Sequence, residues 1–314
     1  MATVLITGGT GLIGRSLQKL LAENNYKVIV LTRDPGKYAK KSGPGLSFAA
    51  WDVEKQQIDI AAIQQADFII HLAGEGIADK RWTDKRKMVL LSSRVDSSTL
   101  VVNALRLNEN KVQAVVSASA IGWYGEDPKI PNPHPFMEDA PADGGFLGEI
   151  CSQWEQSIQP VEELGIRLVK FRTGIVLSRD GGAYPELRRP VYFGVAGILS
   201  KGRQIYSWIH IDDMARMYLA AIENLSYSGV YNAVAPKPAS NKELTVKMAS
   251  LLKKNFFIPV YIPSLFLKIG LGEMSQEVLK STTVCCDKIR KAGFNFIYPS
   301  IESALGELTS PAKN

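Results

Sequence analysis

The chain has 314 residues, 46% of them apolar and 22% charged, with a net charge of +6. That is enough apolar side chain for one large α/β domain with a smaller appended lobe, and no run of about 18 apolar residues exists to span a membrane. The 37 basic and 31 acidic residues form no lysine/arginine tract with interleaved aromatics, which argues against a nucleic-acid partner.

A short apolar strand, Thr3-Val4-Leu5-Ile6, runs straight into Thr7-Gly8-Gly9-Thr10-Gly11-Leu12-Ile13-Gly14. The helix that follows carries Leu12, Ile13, Leu17, Leu20 and Leu21 at helical spacing. Strand, glycines and helix in this order are the context in which a glycine-rich turn binds a dinucleotide. Near Gly8 and Gly11 the chain turns tightly and brings bare backbone to a pyrophosphate. Gly14 lets the helix lie close to the strand, and the helix N-terminus offers free N–H groups. The candidate cofactor residues here are Gly8, Gly9, Thr10, Gly11, Leu12, Ile13 and Gly14.

The second strand, Lys27 to Leu31, ends in Thr32-Arg33. A carboxylate about 20 residues after the glycines accepts from the 2′-hydroxyl of NAD, whereas an arginine accommodates a 2′-phosphate. Arg33, with Thr32 as a second donor, therefore favours NADP (NADPH); Asp34 next door keeps NAD open. Leu46–Trp51, Asp67–Ala73, Val112–Ser119 and Ile166–Arg172 read as further strands, with helices near Lys85–Leu105 and Leu147–Leu164. Near-continuous apolar strands alternating with helices predict an α/β fold, a doubly wound parallel sheet.

After Gly174 the pattern loosens. Residues 179–206 are rich in Gly and Pro, and an ordered stretch returns over 207–235. Asp212-Asp213 are expected to cap the helix running to Asn224, and His210, between two isoleucines, reads as a structural residue. Ser240-Asn241-Lys242-Glu243 is a capping box. This divides the chain into a nucleotide-binding domain (1–178 and 207–235), a smaller, mostly helical substrate lobe (179–206 and 236–308) and a tail (309–314). In the lobe, Arg188, Arg189, Lys201 and Arg203 are candidate anion-binding groups. Met1-Ala2 enters the first strand without a signal-peptide pattern, and Cys151, Cys285 and Cys286 lack CxxC or metal spacing. The expectation is a cytoplasmic protein with reduced thiols and no metal.

Several strings resemble the extended short-chain dehydrogenase/reductase superfamily. They are Thr7-Gly8-x-x-Gly11-x-x-Gly14, His71-Leu72-Ala73-Gly74, Ser117-Ala118-Ser119-Ala120 before Tyr124-Gly125, and Ile209-His210-Ile211-Asp212-Asp213. Longer strings, Leu72 to Trp82, Ser119 to Gly125, Arg172 to Ser178 and Ser207 to His210, are similar to an atypical, sugar-nucleotide-epimerase-like branch of it. The resemblance covers residues 3 to about 300. It implies a Rossmann-type domain, hydride transfer at an oxygen-bearing carbon, and a small-molecule substrate such as a nucleotide-sugar or other carbonyl compound. Relatives in the superfamily often dimerise, which leaves a homodimer open, while the expectation of no membrane and no nucleic-acid partner comes from the composition.

The resemblance further implies site roles. Asp52 receives the adenine amino group; Leu72, Ala73, Gly74, Glu75 and Arg81 cross the cofactor; Thr173, Gly174, Ile175 and Val176 pass beside the nicotinamide. Ser119 is placed to polarise a substrate carbonyl, and Tyr124 is the surviving phenol for general-acid work. The superfamily's Tyr-x-x-x-Lys pair, whose lysine lowers the tyrosine pKa, is absent: none of the 11 tyrosines has a lysine four positions on. Counting back from Glu155 puts Leu147 and Cys151 in the two places. Two readings stay open: an enzyme whose proton moves through Tyr124 or an ordered water, and an NADP-binding sensor or scaffold without turnover.

Overall fold

Strand β1 (Thr3–Thr7) is buried along its whole length, as an apolar strand must be when helices cover both faces of its sheet. The computed structural model describes residues 1–254 and 256–310. After β1 come α1 (Leu12–Glu23), β2 (Lys27–Thr32), β3 (Leu46–Asp52), β4 (Gln57–Ile58) and α2 (Ile60–Gln65). Then follow β5 (Phe68–His71), α3 (Asp84–Leu107), β6 (Ala114–Ala120), α4 (Phe146–Ile158) and β7 (Arg167–Thr173). The next stretch holds β8 (Ile175–Ser178), β9 (Gly181–Gly182), α5 (Ala183–Tyr192), β10 (Val195–Leu199), β11 (Ile205–Tyr206), β12 (Trp208–His210), α6 (Ile211–Glu223) and β13 (Gly229–Ala233).

The central sheet has the order β13-β7-β6-β5-β1-β2-β3-β4, parallel except at the β3–β4 edge. Successive side chains of a strand point to opposite faces, and this splits the core in two. Val4, Ile6, Val28, Val30 and Ile70 pack with Leu17 and Leu21 of α1 and Met214 and Tyr218 of α6. Leu5, Ile29, Leu31 and Ile69 pack with Ile63 of α2 and Leu100 and Val101 of α3. Each such aliphatic side chain taken out of water contributes about 1.5–3 kcal/mol. The result is the Rossmann-type α/β fold that the residue pattern predicts. Strand order reverses between β1 and β5, and ligands of open α/β sheets bind at such a switch point.

The remaining elements are β14 (Ala239–Ser240), α7 (Asn241–Lys253), β15 (Ile258–Ile262), α8 (Ser264–Leu271), α9 (Ser275–Leu279), α10 (Asp287–Lys291) and α11 (Ile301–Thr309). A third core unites Leu177, Tyr184, Trp208, Leu244, Met248 and Leu305. Besides the expected helices, this part of the chain holds the pairs β10–β15 and β11–β14 and the trio β12–β8–β9. Strands this short carry too little period-2 pattern to be read from sequence.

Three local expectations need correction. The helix expected over 147–164 ends at Ile158 and passes into a 3₁₀ segment, Gln159–Leu164, with Pro160 at its start. The cap of α6 is His210, whose Nδ1 accepts from the Asp212 N–H at 3.2 Å, not Asp212-Asp213. Of the expected tail, Thr309 closes α11 and Ser310 is its C-cap, while 311–314 lie outside the described residues. The capping box is present, Ser240 and Glu243 each accepting the other's backbone N–H.

Asp213, freed from capping, is fully buried and accepts from the backbone N–H groups of Ile297 and Tyr298, each at 2.9 Å, and from Arg216 Nη1 at 2.8 Å. It ties the segment before α11 to the domain holding α6. Asp213→Ala strands two N–H donors and a guanidinium. It is expected to lower stability by about 2–4 kcal/mol in urea titration, against less than about 0.5 kcal/mol for the exposed Asp212→Ala.

Candidate functional site

The glycine turn sits where β1 gives way to α1. Gly8 has φ +65°, and a Cβ there would stand 2.8 Å from the Leu72 carbonyl, so the loops after β1 and β5 touch backbone to backbone. At Gly14 a Cβ would run into the Gly9 backbone, which is how α1 gains its close approach. The Gly11 N–H closes the turn onto the Gly8 carbonyl at 3.0 Å. Gly11 is the N-cap of α1 and supplies no side-chain acceptor, and the first turn has no acidic residue. The first-turn N–H groups, beside Thr10, Leu12 and Ile13, are thus left for an anion. Leu12 packs against Gly181 and Gly182, joining the turn to β9.

A buried chain of hydrogen bonds holds the two loops in register. Thr7 Oγ1 accepts from the Leu72 and Ala73 N–H groups at 3.1 and 3.2 Å, so its own proton goes to His71 Nδ1 at 2.8 Å. His71 Nε2 then donates to Ser98 Oγ at 3.1 Å, and Ser98 donates to the Arg94 carbonyl at 2.8 Å. Burial pushes the His71 imidazole down to about 4, so it is neutral and locked in one tautomer.

Arg33 is exposed at the end of β2 and has no hydrogen-bond or ion-pair partner among the described residues. Asp34 is occupied locally: its Oδ1 accepts from the Lys37 N–H at 3.1 Å, and its own N–H donates to Thr32 Oγ1 at 3.4 Å. Asp52, at the end of β3, receives the Lys55 N–H and Nζ at 3.1 and 3.3 Å, and the Lys55 contacts hold its carboxyl below the usual range. Glu75 pairs with Arg86 Nη1 at 3.0 Å. The Arg81 guanidinium lies against Gly272 at the end of α8. Thr173 ends β7 and Gly174 breaks the strand, and Ile175 and Val176 begin β8 in a separate sheet beside β12. Lys201 and Arg203 line, with Lys242, a cavity of about 770 Å³ that none of the expected cofactor residues enters.

On the β6 side the expected catalytic pair is not free. Ser119 is 2% exposed and donates to Glu155 Oε1 at 2.7 Å. Tyr124 is wholly buried, donates to Asn232 Oδ1 at 2.7 Å and accepts from Arg172 Nη1 at 3.0 Å. Loss of solvation pushes its phenol up to about 12 despite the guanidinium. Both hydroxyls expected to face a substrate, Ser119 as the polarising group and Tyr124 as the general acid, donate to buried acceptors in this structure. Leu147 and Cys151 pack against Gly122 just beyond β6, and burial raises the Cys151 thiol to about 12, leaving it un-ionised.

Arg172 and Arg94 were not expected as site residues. Arg172 is one of three basic residues on β7, with Arg167 and Lys170, and Arg94 is one basic residue on a long helix; only its position against Gly74 marks it. No local signal in the sequence singles out either.

The model of the NAD dependent epimerase/dehydratase family matches residues 4–143, and a domain of unknown function (DUF1731) matches residues 262–308. The epimerase family protein SSP1921 of Staphylococcus saprophyticus subsp. saprophyticus is 34% identical over 308 residues, 98% of this chain and 99% of that one. The epimerase family protein YfhF of Bacillus subtilis is 33% identical over 311 residues, 99% of each chain. The crystal structure of human epimerase family protein SDR39U1 (isoform2) with NADPH is similar with a TM-score of 0.85 at 28% identity, covering 99% of this chain and 100% of that one. A nucleoside-diphosphate sugar epimerase from Corynebacterium glutamicum gives a TM-score of 0.76 at 30% identity, over 98% of this chain and 58% of that one.

The neutral His71 makes the site pH-sensitive. Its folded pKa lies below the unfolded 6.5, so the unfolded chain takes up the proton first. Its contribution is complete above pH 6.5 and is lost as pH falls toward 4. The stability gap between wild type and His71→Asn is expected to shrink by about 3 kcal/mol between pH 7 and pH 4, read by urea unfolding.

Proposed function

The chain belongs to the epimerase family, and on that premise we propose that it holds NADP(H) across the carboxyl ends of β2, β1, β5 and β6 and acts on a small oxygen-bearing substrate. The observation that carries this reading is the pairing of an uncapped glycine turn at the start of α1 with an unpartnered Arg33 beside an occupied Asp34. The turn and the first-turn N–H groups of α1 take the pyrophosphate. Arg33 takes the 2′-phosphate, with Thr32 beside it, and the Leu72–Gly74 backbone lies along the ligand. Bound there, the nicotinamide supplies a hydride to, or accepts one from, a carbon bearing oxygen. Nucleotide-sugars are the substrate class suggested by the name of the Corynebacterium glutamicum relative.

The chain's own share of the reaction is to position the reactants. With the Ser119 proton on Glu155 and the Tyr124 phenol raised to about 12, the proton reaches the substrate oxygen from water. The same observations favour a second reading, an NADP-binding sensor without turnover, in which Leu147 and Cys151 have closed the former relay with packing. NADPH oxidation measured across a panel of carbonyl substrates decides between them: substrate-dependent oxidation supports the enzyme, and binding without it supports the sensor.

The cofactor assignment has its own test. Titration with NADPH and NADH, followed by nicotinamide fluorescence, should show preference for NADPH. Arg33→Ala should weaken NADPH by about 10- to 100-fold, toward the NADH value, the loss of a charge-assisted contact to phosphate. Equal affinity of the variant and wild type for NADPH would move the 2′-phosphate elsewhere.

A further inference from the structure

Two stretches of the chain, 187–211 and 244–272, hold no aspartate or glutamate and four lysines or arginines each. Together they carry eight positive charges in a chain whose net charge is +6, so everything else is net acidic. The same two stretches hold ten of the eighteen large apolar side chains that stand exposed among the described residues. Single exposed apolar residues are ordinary, whereas a basic and apolar surface gathered in one place marks a contact.

The fold brings the two stretches together. The Ile258 N–H donates to the Gly194 carbonyl at 2.8 Å, and β15 runs parallel to β10 from the pair Val195 and Ile258 onward. Phe193 at the end of α5 and Phe256 before β15, 84% and 85% exposed, therefore flank one corner. Four of the five residues of β15 are exposed. Pro263 then leads the chain into α8, which buries none of its eight residues. Leu265, Phe266 and Ile269, each 64% exposed, share one face of that helix at spacings of three and four. The core beneath, with Val191, Ala196 and Met248, is closed without them. Lys201 and Arg203 line the same cavity as Tyr261 of β15, and Lys268 stands exposed on α8 itself.

We propose that this face is a docking surface for a bilayer containing anionic lipid. Phe193, β15 and α8 enter the headgroup region, and Lys201, Arg203 and Lys268 meet lipid phosphates. Charge selects this occupant over a second copy, which would bring the same acid-free, basic surface against itself. Strand addition is opposed as well. The Ile258 N–H is turned to β10, so the next residue, Pro259, holds the open edge and has no N–H to give. Protruding side chains fit a fluid layer that closes around them, whereas a protein partner needs matching pockets. No helix among the described residues is long and apolar enough to cross a membrane, and a chain that lies on the bilayer needs none. Attachment of this kind is independent of the NADP(H) reading.

The test is cosedimentation of the full chain with vesicles of phosphatidylcholine alone and with vesicles that also contain phosphatidylglycerol. Wild type is expected to bind the anionic vesicles, and less so as salt is raised. Phe266→Ser combined with Ile269→Ser should weaken that binding by about 30-fold or more, and Lys268→Gln by about fivefold. Leu225→Ser, an exposed apolar residue outside both stretches, should leave it within about twofold. All these side chains are exposed, so an unchanged melting temperature confirms that each variant folds. No preference for anionic vesicles, or binding that survives the double variant, overturns the proposal. A dimer seen by sedimentation velocity and lost in the double variant, without vesicle binding, would assign the face to a second copy. Binding to poly-glutamate but not to vesicles would assign it to an acidic protein, and either result overturns the membrane assignment.

Discussion

The ion pair between Arg172 of β7 and Glu155 of α4 governs the arrangement of the β6 end of the cleft. Arg172 Nε lies 2.8 Å from Glu155 Oε1 and Nη2 lies 3.2 Å from Oε2, with both side chains almost entirely buried. Taking two charges out of water costs several kcal/mol per ion, and only dense hydrogen bonding offsets it. The surroundings supply that bonding. Arg172 Nη1 reaches the Tyr124 hydroxyl and the Glu138 carbonyl, each at 3.0 Å, and the guanidinium stacks 3.6 Å from the Trp123 ring. Glu155 takes the Ser119 proton and has Lys170 Nζ at 3.8 Å. The hydroxyls that a dehydrogenase-like reading would assign to substrate are therefore the ones that make this pair tolerable.

A second network holds the edge that carries the glycine turn. The run Thr7, His71, Ser98 ends on the Arg94 carbonyl, and the Arg94 side chain returns to the Glu75 carbonyl. The loops after β1 and β5 are thereby referenced to α3, whereas the loop after β6 is referenced to α4 through Glu155, Leu147 and Cys151. The two networks thus draw on different helices, α3 for the loops after β1 and β5 and α4 for the loop after β6, and the Arg94 guanidinium over the Trp154 ring is where the two helices meet.

Much of the fold was legible because its causes are local. Strand burial on both faces shows as unbroken apolar runs in Val28–Leu31 and Ile69–Ile70, and the Ser240/Glu243 cap needs only four residues of context. The glycine turn was legible for the same reason, since Gly8 and Gly14 answer to steric limits set within a strand–turn–helix unit. The short strands β8 to β12 were not, because their partners lie far away in sequence: β10 pairs with β15 and β12 with β8. Asp213 illustrates a related failure. Its position one turn into α6 suggested a cap, and only the return of Ile297 and Tyr298 shows what its carboxylate does.

The sequence by itself determined the class of fold, the glycine turn, the basic residue at the end of β2 and the absence of any Tyr-x-x-x-Lys pair, all of which depend on neighbours within a few tens of residues. Tertiary structure alone decided which polar groups remain available. Ser119 and Tyr124 lose their protons' freedom to Glu155 and Asn232, 36 and 108 residues away, and the Glu75 carboxylate is drawn to Arg86. Whether a hydroxyl or a guanidinium is free depends on every acceptor within about 3 Å of it, and that inventory exists only once the chain has folded.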